Sequence, residues 1–389
     1  MQYMKDPKFG KDLSVLGFGC MRLPSDKDKA EQLIIKAVKQ GINYFDTAYI
    51  YPNSEATLGT ILEKNALREK VYVATKLPHQ KCKSYEDFDR LFNEQLARLK
   101  TDYIDYYLIH NISDKAMWDA VCGIGIEKWI EEKKAAKKIH RIGFSFHGAQ
   151  NGFFELLDAY DWDFTMIQYN YMDEHYQAGR AGLKKAHEKG LPVIIMEPLL
   201  GGKLATGLPP TAASLFKAEN PDCSAAAWAL KWLWNQPEVT VVLSGMNSME
   251  QLEDNLKTAK AAKPGMLSEK ESAVFGPVMD TIRESYKVEC TGCNYCMPCP
   301  HGVNIPGCFS AYNTRYAMGF VPGMTQYVTS TGANRPEKRA RAKFCTGCKA
   351  CEKSCPQHIP IAQELQNVKK HMEPFWFNFG IWVIGKILG

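Results

Sequence analysis

Eight of the thirteen cysteines in this 389-residue chain lie in two short runs near its C-terminal end. The second run has the spacing C-x₂-C-x₂-C-x₃-C-P, and the first has one residue fewer before its last cysteine. The eight are Cys290, Cys293, Cys296, Cys299, Cys345, Cys348, Cys351 and Cys355. A disulfide framework does not bunch cysteines in this way, and grouped thiols outside such a framework are more often metal ligands. The runs therefore predict metal centres.

Both runs resemble the motif of bacterial-type ferredoxins, which hold two [4Fe–4S] clusters. The resemblance implies that three cysteines of a run bind one cluster and that the cysteine before proline reaches the other. One cluster is then bound by Cys290, Cys293, Cys296 and Cys355, and the other by Cys345, Cys348, Cys351 and Cys299. Two zinc sites are the alternative, although zinc uses two C-x₂-C pairs per ion with a long gap between them. Core thiols are expected at the remaining positions: Cys20, Cys82, Cys122, Cys223 and Cys308.

The chain before the cysteines alternates short apolar segments with helical patterns. Eight segments rich in β-branched and aromatic residues have the length of buried parallel strands. They are Val15–Gly19, Tyr44–Ala48, Val71–Leu77, Tyr103–His110, Arg141–Ser145, Phe164–Tyr169, Val193–Met196 and Val239–Ser244. Eight strands alternating with helices predict an α/β fold of the (β/α)₈ type, the TIM barrel. A doubly wound open sheet is the alternative, and the lack of an early G-x-G-x-x-G turn disfavours it.

The character of the sequence changes after Lys263-Pro264-Gly265, where a helix over Ser268–Tyr286 is predicted to lead into the first cysteine run. We expect a barrel domain over residues 1–285 and a small, mainly helical, ferredoxin-like iron–sulfur domain over residues 286–389. The apolar tail that ends this second domain, from residue 374, is expected to pack on the barrel or on a second copy of the chain. Attachment to a membrane surface is the alternative for the tail.

The charge and the hydropathy of the sequence limit which binding partners and which cellular compartment we expect. The net charge of +5 is small for this length and there is no long basic stripe, so we expect no nucleic-acid partner. The N-terminal residues carry no apolar signal-peptide core. The longest apolar run, Phe375–Leu388, is shorter than the roughly 20 residues that a bilayer span needs. We therefore expect a cytoplasmic protein.

Four polar side chains stand where the active site of a (β/α)₈ barrel lies, at the carboxyl ends of the strands. Asp46, Lys76 and His110 each close a predicted strand, and Tyr51 follows in the loop after Asp46. A nearby Lys⁺ strengthens a tyrosine as an acid, an aspartate can hold that lysine, and a histidine can orient a carbonyl group. The four residues together predict general acid catalysis of carbonyl reduction.

The run from Asp46 to Tyr51 resembles the first signature of the aldo-keto reductase family, and the resemblance extends over residues 1–262. It implies that Tyr51 is the general acid, that the other three residues support it, and that the enzyme is an NAD(P)-dependent oxidoreductase. It also implies a set of contacts to the nicotinamide nucleotide. These are Ser145, His147, Gln168, Pro198, Leu199, Gly201, Ser244, Gly245, Met246, Gln251, Asp254 and Asn255.

The chain departs from the family pattern at several of these positions. Many members have Ser-Asn where this chain has Ser145-Phe146, and we expect His147 to take over part of that role. Members specific for NADP often carry a basic residue where Gln251 stands, and Gly245 replaces a frequent lysine. The choice between NADP(H) and NAD(H) therefore stays open.

The whole chain resembles a subgroup of aldo-keto reductases, typical of anaerobes, that carries a C-terminal two-cluster ferredoxin domain. The resemblance implies an enzyme that couples hydride transfer between nicotinamide and a carbonyl or alcohol substrate to electron transfer through two [4Fe–4S] clusters, with a redox partner such as a ferredoxin. A hydride carries two electrons and a cluster takes one, and conversions of this kind commonly use a flavin. A flavin is therefore a possible further cofactor, although no residue indicates it. Two alternatives remain: a barrel reductase with structural clusters, and a non-enzymatic electron carrier or docking protein.

Overall fold

A computed structural model describes residues 1–148, 150–332 and 340–377 of the chain. It begins with a two-stranded antiparallel sheet, in which β1 (Tyr3–Lys5) pairs with β2 (Asp12–Ser14). Each strand of this hairpin has three residues, which is too short for the alternation of apolar and polar residues that identifies a strand in a sequence. The sequence pattern therefore did not predict it.

Eight parallel strands follow and close into a barrel. They are β3 (Leu16–Gly19), β4 (Tyr44–Asp46), β5 (Tyr72–Leu77), β6 (Ile104–Ile112), β7 (Ile139–Phe146), β8 (Phe164–Gln168), β9 (Val193–Met196) and β10 (Val241–Ser244). Strands that are consecutive in the chain are neighbours in the sheet, and β10 pairs with both β9 and β3 to close it. The predicted (β/α)₈ barrel is confirmed, and the open-sheet alternative is excluded.

Helices accompany the strands along the chain. They are α1 (Lys27–Lys39), α2 (Ser54–Lys64), α3 (Tyr85–Leu99), α4 (Lys115–Cys122), α5 (Ile126–Ala135), α6 (Gln150–Ala159), α7 (Gly179–Glu188), α8 (Pro210–Glu219), α9 (Ala225–Trp234) and α10 (Met249–Lys260). The apolar pattern of Met117–Lys138 predicts one helix, but the structure has two, α4 and α5. Between them lie two glycines, and Gly125 has a φ of 99°, which a residue inside a helix does not adopt.

Helices α2 and α3 approach each other at Gly59. A Cβ atom at this position would overlap the carbonyl oxygen of Arg98 and lie 2.5 Å from the backbone of Leu99. Only glycine leaves room for the backbone of α3 to come this close. The contact matters for the site, because α2 follows the loop that carries Tyr51 and α3 packs on β5.

The described residues divide into two compact units. The first comprises Met1–Leu199 and Ala226–Ser272, and the second comprises Leu200–Ala225 and the chain from Ala273 onward. The barrel-loop segment Leu200–Ala225 is thus grouped with the cysteine-bearing part of the chain. The sequence places the domain boundary near residue 285, and the point at which the two functional domains separate stays a prediction.

The second unit contains short helices around the cysteine runs. Its C-terminal helices are α12 (Phe275–Ser285), α13 (Ile305–Met318), α14 (Phe320–Thr331) and α15 (Ile361–Met372). The five-residue α11 (Glu269–Ala273) precedes them and lies mostly in the first unit. The single helix predicted over Ser268–Tyr286 is therefore two helices interrupted at Val274. Side chains of α13, α14 and α15, among them Phe309, Tyr327 and Leu365, form an apolar core of their own.

Phe375 and Trp376, at the start of the apolar tail, are exposed. Residues 378–389 of the tail, on which the expected packing against the barrel or a second copy depends, lie outside the described residues. Among the described residues, no helix combines the length and the apolar character that crossing a bilayer requires.

We expect Gly59→Ala to lower the free energy of unfolding of the barrel by about 1–3 kcal/mol, because the added methyl group forces α2 and α3 apart. Urea unfolding followed by tryptophan fluorescence measures the change. Gly123→Ala is the matched control, since Gly123 is exposed, has a φ of −60°, and offers a Cβ its nearest neighbour at 3.4 Å. Equal stability of the two variants would contradict the packing argument.

Candidate functional site

The alternation of side chains along the barrel strands brings Asp46, Lys76 and His110 to one place. Successive residues of a strand point to opposite faces, so residues two apart share a face. Alternate residues of the strands form an apolar cluster inside the barrel, which includes Tyr44, Ala74, Tyr106 and Leu108. The next residues on the same face of β4, β5 and β6 are Asp46, Lys76 and His110. These polar groups therefore cap the interior cluster at the carboxyl ends of three neighbouring strands.

Lys76 and Asp46 form an ion pair that is almost completely buried. The Nζ atom of Lys76 lies 2.8 Å from Oδ1 and 2.6 Å from Oδ2 of Asp46, and it donates a third bond of 2.8 Å to the carbonyl oxygen of Thr47. Burial raises the pKa of Asp46, and the charge and hydrogen bonds of Lys76 act against that rise. The three acceptors satisfy all three donors of the ammonium group and fix its position.

Tyr51 is half-buried in the loop between β4 and α2. The ammonium nitrogen of Lys76 lies 5.0 Å from the centroid of the tyrosine ring. The ring of His110 meets the ring of Tyr51 edge-on, with centroids 6.1 Å apart and an interplanar angle of 87°. The structure thus brings together all four residues that the sequence predicts for catalysis. Their catalytic roles stay predictions.

The surroundings of His110 strongly disfavour a positive charge on its imidazole ring. Burial lowers its pKa well below the usual value for histidine, and the charges of Lys76, His147 and His79 act in the same direction. The imidazole is therefore neutral at neutral pH. A neutral imidazole carries one N–H donor and one acceptor, and it can donate a hydrogen bond to a substrate oxygen without taking up a proton.

Hydrogen bonds between polar side chains of α2, α3 and β5 hold these three elements together. The carboxylate of Glu55 accepts hydrogen bonds from Thr75 (2.6 Å), from the side-chain amide of Gln95 (2.8 Å) and from Arg98 (3.2 Å). The same amide of Gln95 donates to the carbonyl oxygen of Lys76 at 3.1 Å. These contacts tie α2 and α3 to the strand that carries the lysine. No pattern in the sequence indicates Gln95 or Thr75 as part of the site.

Ser145 and Gln168, predicted to hold the nicotinamide amide, are buried at the carboxyl ends of β7 and β8. The backbone N–H of Asn111 donates to the hydroxyl of Ser145 at 2.8 Å. The side chain of Gln168 accepts from Gln177 at 3.1 Å, and Nδ1 of His147 lies 3.2 Å from the amide oxygen of Gln177. Gln177, which the sequence analysis missed, therefore links His147 to Gln168.

The other residues predicted for the cofactor occupy two segments. Pro198 is buried and Leu199 is half-buried after β9, whereas Gly201, with a φ of 68°, belongs to the second compact unit. At the end of β10, the Oγ of Ser244 accepts from the side-chain amide of Asn255 at 2.8 Å. In the remaining four positions, Gly245 is exposed, Met246 is buried in the core, Gln251 accepts from the backbone of Asn247, and Asp254 is half-buried.

These groups fit a nicotinamide nucleotide by their chemistry. Hydroxyl and amide side chains at the ends of β7 and β8 supply the donors and acceptors that a carboxamide needs. Helix α10 begins after Ser248, whose hydroxyl caps its first turn, and a helix N-terminus favours a phosphate group. A Cβ atom at Gly245 would meet a single neighbour within 4 Å, the carbonyl oxygen of Gly19 at 3.8 Å, so the strand ends leave space there. The assignment of individual contacts stays a prediction.

His79 is a further buried group near the four predicted catalytic residues, and the sequence analysis missed it. It follows β5 in a short 3₁₀ turn, His79–Lys81, and burial lowers its pKa. Its proximity contributes to the lowered pKa of His110, and its ring hydrogen-bonds to the backbone of Asn111, next to His110 in the chain. Its position two residues beyond a strand end was the signal available in the sequence.

In the second unit, a small cavity, open in part to solvent, is lined by four of the eight cysteines. The four are Cys290, Cys293, Cys296 and Cys355. The rest of the lining is largely apolar and includes Ile305, Phe309, Ile359 and Ile361. Burial and then the neighbouring thiols raise the pKa of Cys296 to about 12. Four thiols around an apolar cavity fit a [4Fe–4S] cluster, and bound iron would keep these sulfurs deprotonated.

The remaining cysteines of the two runs also approach each other. Burial raises the pKa of Cys351 to about 11, and Cys299 and Cys345 are close enough to contribute to the rise. Cys348 belongs to the same run and is exposed. The structure thus places Cys355 with the first run and Cys299 near the second. The binding of the two clusters by these eight residues stays a prediction.

The five cysteines outside the runs differ in burial. Cys20, Cys82 and Cys308 are buried, and Cys122 and Cys223 are half-buried. Cys20 lies near the ion pair, where burial and the charge of Asp46 raise its pKa. A thiol with a raised pKa is neutral and unreactive.

The fold and the sites define a barrel oxidoreductase with an iron–sulfur domain, and comparison with known proteins agrees. The sequence profile described as "Aldo/keto reductase family" matches residues 15–266. The profile described as "4Fe-4S dicluster domain" matches residues 289–360. The chain belongs to the aldo/keto reductase family and combines its barrel with a dicluster domain, as the subgroup resemblance implied. The two-zinc alternative for the cysteine runs is not supported.

Similar proteins match about two thirds of the chain or slightly more. An uncharacterized oxidoreductase of Bacillus subtilis (strain 168), YqkF, is 28% identical over 284 residues, which cover 65% of this chain and 89% of that protein. Probable aldo-keto reductase 1 of Glycine max is 28% identical over 289 residues, covering 64% of this chain and 81% of that protein. The solved structure of aldo-keto reductase AKR11C1 from Bacillus halodurans, holo form, aligns with a TM-score of 0.60 and 26% identity, covering 72% of this chain and 96% of that chain.

The cysteine arrangement predicts which serine variants behave alike. Cys355→Ser and Cys293→Ser should lose the same cluster, whereas Cys299→Ser and Cys345→Ser should lose the other. Iron and sulfide content and the EPR spectrum of the dithionite-reduced, anaerobically purified variants measure this, and each variant should retain about half of the iron. If Cys355→Ser instead gave the spectrum of Cys345→Ser, the cysteines would not cross between the runs.

Proposed function

We propose that the protein is an NAD(P)-dependent iron–sulfur oxidoreductase of the aldo-keto reductase type. It exchanges a hydride between nicotinamide and a carbonyl or alcohol substrate and couples this reaction to electron transfer through two [4Fe–4S] clusters. The observation that carries the proposal is the arrangement of Tyr51 beside the buried Lys76–Asp46 pair and the neutral His110. The dicluster domain on the same chain supports the coupling.

Tyr51 donates the proton that a carbonyl oxygen requires as it becomes an alcohol. The ammonium group of Lys76, 5.0 Å from the ring centroid, stabilises the phenolate that remains. Asp46 and the carbonyl of Thr47 hold that ammonium group in place. The neutral imidazole of His110 is suited to hydrogen-bond the substrate oxygen and align it with the hydroxyl of Tyr51. In the oxidative direction the same groups take the proton back.

A bound nicotinamide nucleotide would supply or accept the hydride at this site. We propose that Ser145 and Gln168 hold its carboxamide, with Gln177 and His147 fixing the orientation of Gln168. Ser244 and Asn255, together with the start of α10, would hold the adenosine end. Between residues 244 and 255 the chain has no Lys or Arg, so a 2′-phosphate would find no cationic side chain in that segment. The choice between NADPH and NADH is therefore a matter for direct comparison of the two nucleotides.

The electron count supports the use of two clusters. Oxidation of one alcohol would leave one reduced nicotinamide, whose two electrons would pass singly to the two [4Fe–4S] clusters through a group that accepts a hydride and releases one electron at a time, such as a flavin. We propose that a one-electron carrier protein exchanges electrons with the clusters. Thiolate ligands of this kind are kept reduced in the cytoplasm, and we propose that compartment for the protein.

Tyr51→Phe should reduce kcat for carbonyl reduction by about 10²–10⁴-fold, because the hydroxyl proton is lost while the ring packing is kept. The measurement is steady-state turnover with a panel of aldehydes and ketones. Tyr49→Phe is the control, since Tyr49 lies in the same loop and its hydroxyl donates to Glu94 instead. Turnover by Tyr51→Phe equal to that of the unaltered protein would remove the tyrosine from the mechanism.

Coupling predicts that nicotinamide reduces the clusters. Under anaerobic conditions, adding NADPH or NADH should bleach the visible absorbance of the clusters, and the nucleotide that acts faster identifies the cofactor. The bleached fraction is compared with that given by dithionite. If dithionite reduces the clusters but neither nucleotide does so, with or without added flavin, the coupling is absent. The protein would then be a barrel reductase whose clusters are structural.

A further inference from the structure

The two cysteine runs differ in their exposure to solvent. Of the eight cysteines, Cys348 is exposed and the other seven are half-buried. Its neighbours Thr346, Gly347, Lys349 and Ala350 are exposed as well, so a turn of five consecutive residues stands on the surface. The cavity of the first run is lined mainly by apolar side chains. The cluster held by the second run therefore has its edge at the surface of the protein.

The two runs also differ in charge. Between Cys290 and Cys299 there is no Lys, Arg, Asp or Glu, whereas the second run contains the exposed lysines Lys349 and Lys353. Lys369 on α15 lies near enough to Lys343, upstream of Cys345, for their charges to interact. The surface turn thus lies within a segment rich in positive charge.

The segment from residue 341 to residue 373 has three acidic side chains, of which Glu352 and Glu364 are half-buried and Glu373 is buried. The carboxylate of Glu352 accepts a hydrogen bond of 2.9 Å from the backbone of Ala362. The side chain of Glu373 is fully buried, where it accepts from Tyr327 at 2.6 Å and lies 3.5 Å from Arg341. Between residues 341 and 373, all of which the structure describes, no acidic side chain is fully exposed, whereas Lys349, Lys353 and Lys369 are exposed.

We propose that the turn from Thr346 to Ala350, with Lys349 and Lys353, is the docking surface for a small acidic one-electron carrier protein. One electron passes at a time between the carrier and the cluster held by Cys345, Cys348, Cys351 and Cys299, so one centre is oxidised as the other is reduced. Electron transfer slows steeply with distance, and the exposed edge at Cys348 gives a carrier close approach. The lysines steer an acidic partner to that edge. This proposal rests on the two clusters of the proposed function and names the partner that they serve.

The test uses the hydroquinone of an acidic bacterial flavodoxin as the electron donor to the oxidised, full-length protein. Stopped-flow absorbance gives the second-order rate constant at several ionic strengths. The variant combines Lys353→Glu with Lys349→Asn, because Lys349 has a φ of 58° and asparagine tolerates that conformation. We expect the rate constant at low salt to fall by about tenfold or more, and its dependence on salt to flatten.

The control changes charge by the same amount elsewhere. It combines Lys128→Glu with Lys29→Asn, two lysines whose side chains are 76% and 74% exposed on helices α5 and α1. Its rate constant should stay within about twofold of that of the unaltered protein, because steering depends on charge near the contact. An equal loss in both variants would show an effect of net charge alone and would overturn the docking surface.

Two further readouts separate docking from other roles of the lysines. Iron content and the cluster potentials should be unchanged in the Lys349 and Lys353 variant, and a shift in potential that accounts for the slower rate would overturn the proposal. Rapid-freeze EPR should show that the cluster lost in Cys345→Ser is reduced first, and reduction of the other cluster first would also overturn it. The assay uses neither nicotinamide nor Tyr51, so this proposal and the proposed function fail separately.

Discussion

The buried ion pair between Lys76 and Asp46 is the interaction on which the geometry of the candidate active site depends. An ammonium group inside a barrel is costly unless its charge and its hydrogen bonds are compensated. Two carboxylate contacts and the carbonyl of Thr47 provide that compensation, and they leave the charge facing the ring of Tyr51. The same charge helps to keep His110 neutral. The ammonium group of Lys76 thus faces the ring of Tyr51 and also lowers the pKa of His110.

The barrel and the positions of the four central residues were readable from the sequence because both follow from local pattern. A buried parallel strand is a short apolar run, and a polar residue that closes such a run points to the mouth of the barrel. The hydrogen bonds that join α2, α3 and β5 were not readable. Glu55, Thr75 and Gln95 meet through hydrogen bonds between residues twenty and forty positions apart, and no spacing rule links them. The predicted helix boundaries were wrong for a local reason. At Gly125 the apolar pattern continues, although the helical conformation of the backbone is interrupted there.

The cysteine runs show a similar division. Their spacing was sufficient to predict a dicluster domain, since three sulfurs at intervals of three residues wrap one cluster. Their different exposure was not predictable, because it depends on how α13, α14 and α15 pack around the two runs. The same holds for the inward position of Glu373, which lies outside both runs and reaches Tyr327 and Arg341 only in the folded domain.

The cavity of the first cysteine run is completed by Cys355, which comes from the far end of the second run. During synthesis on the ribosome, Cys290, Cys293 and Cys296 emerge long before their fourth neighbour exists. The segment between the runs, which contains α13 and α14, must fold back before Cys355 can join the other three. The four thiols that line this cavity are thus complete only once residue 355 has been made, and a chain that stops short of it lacks one of them.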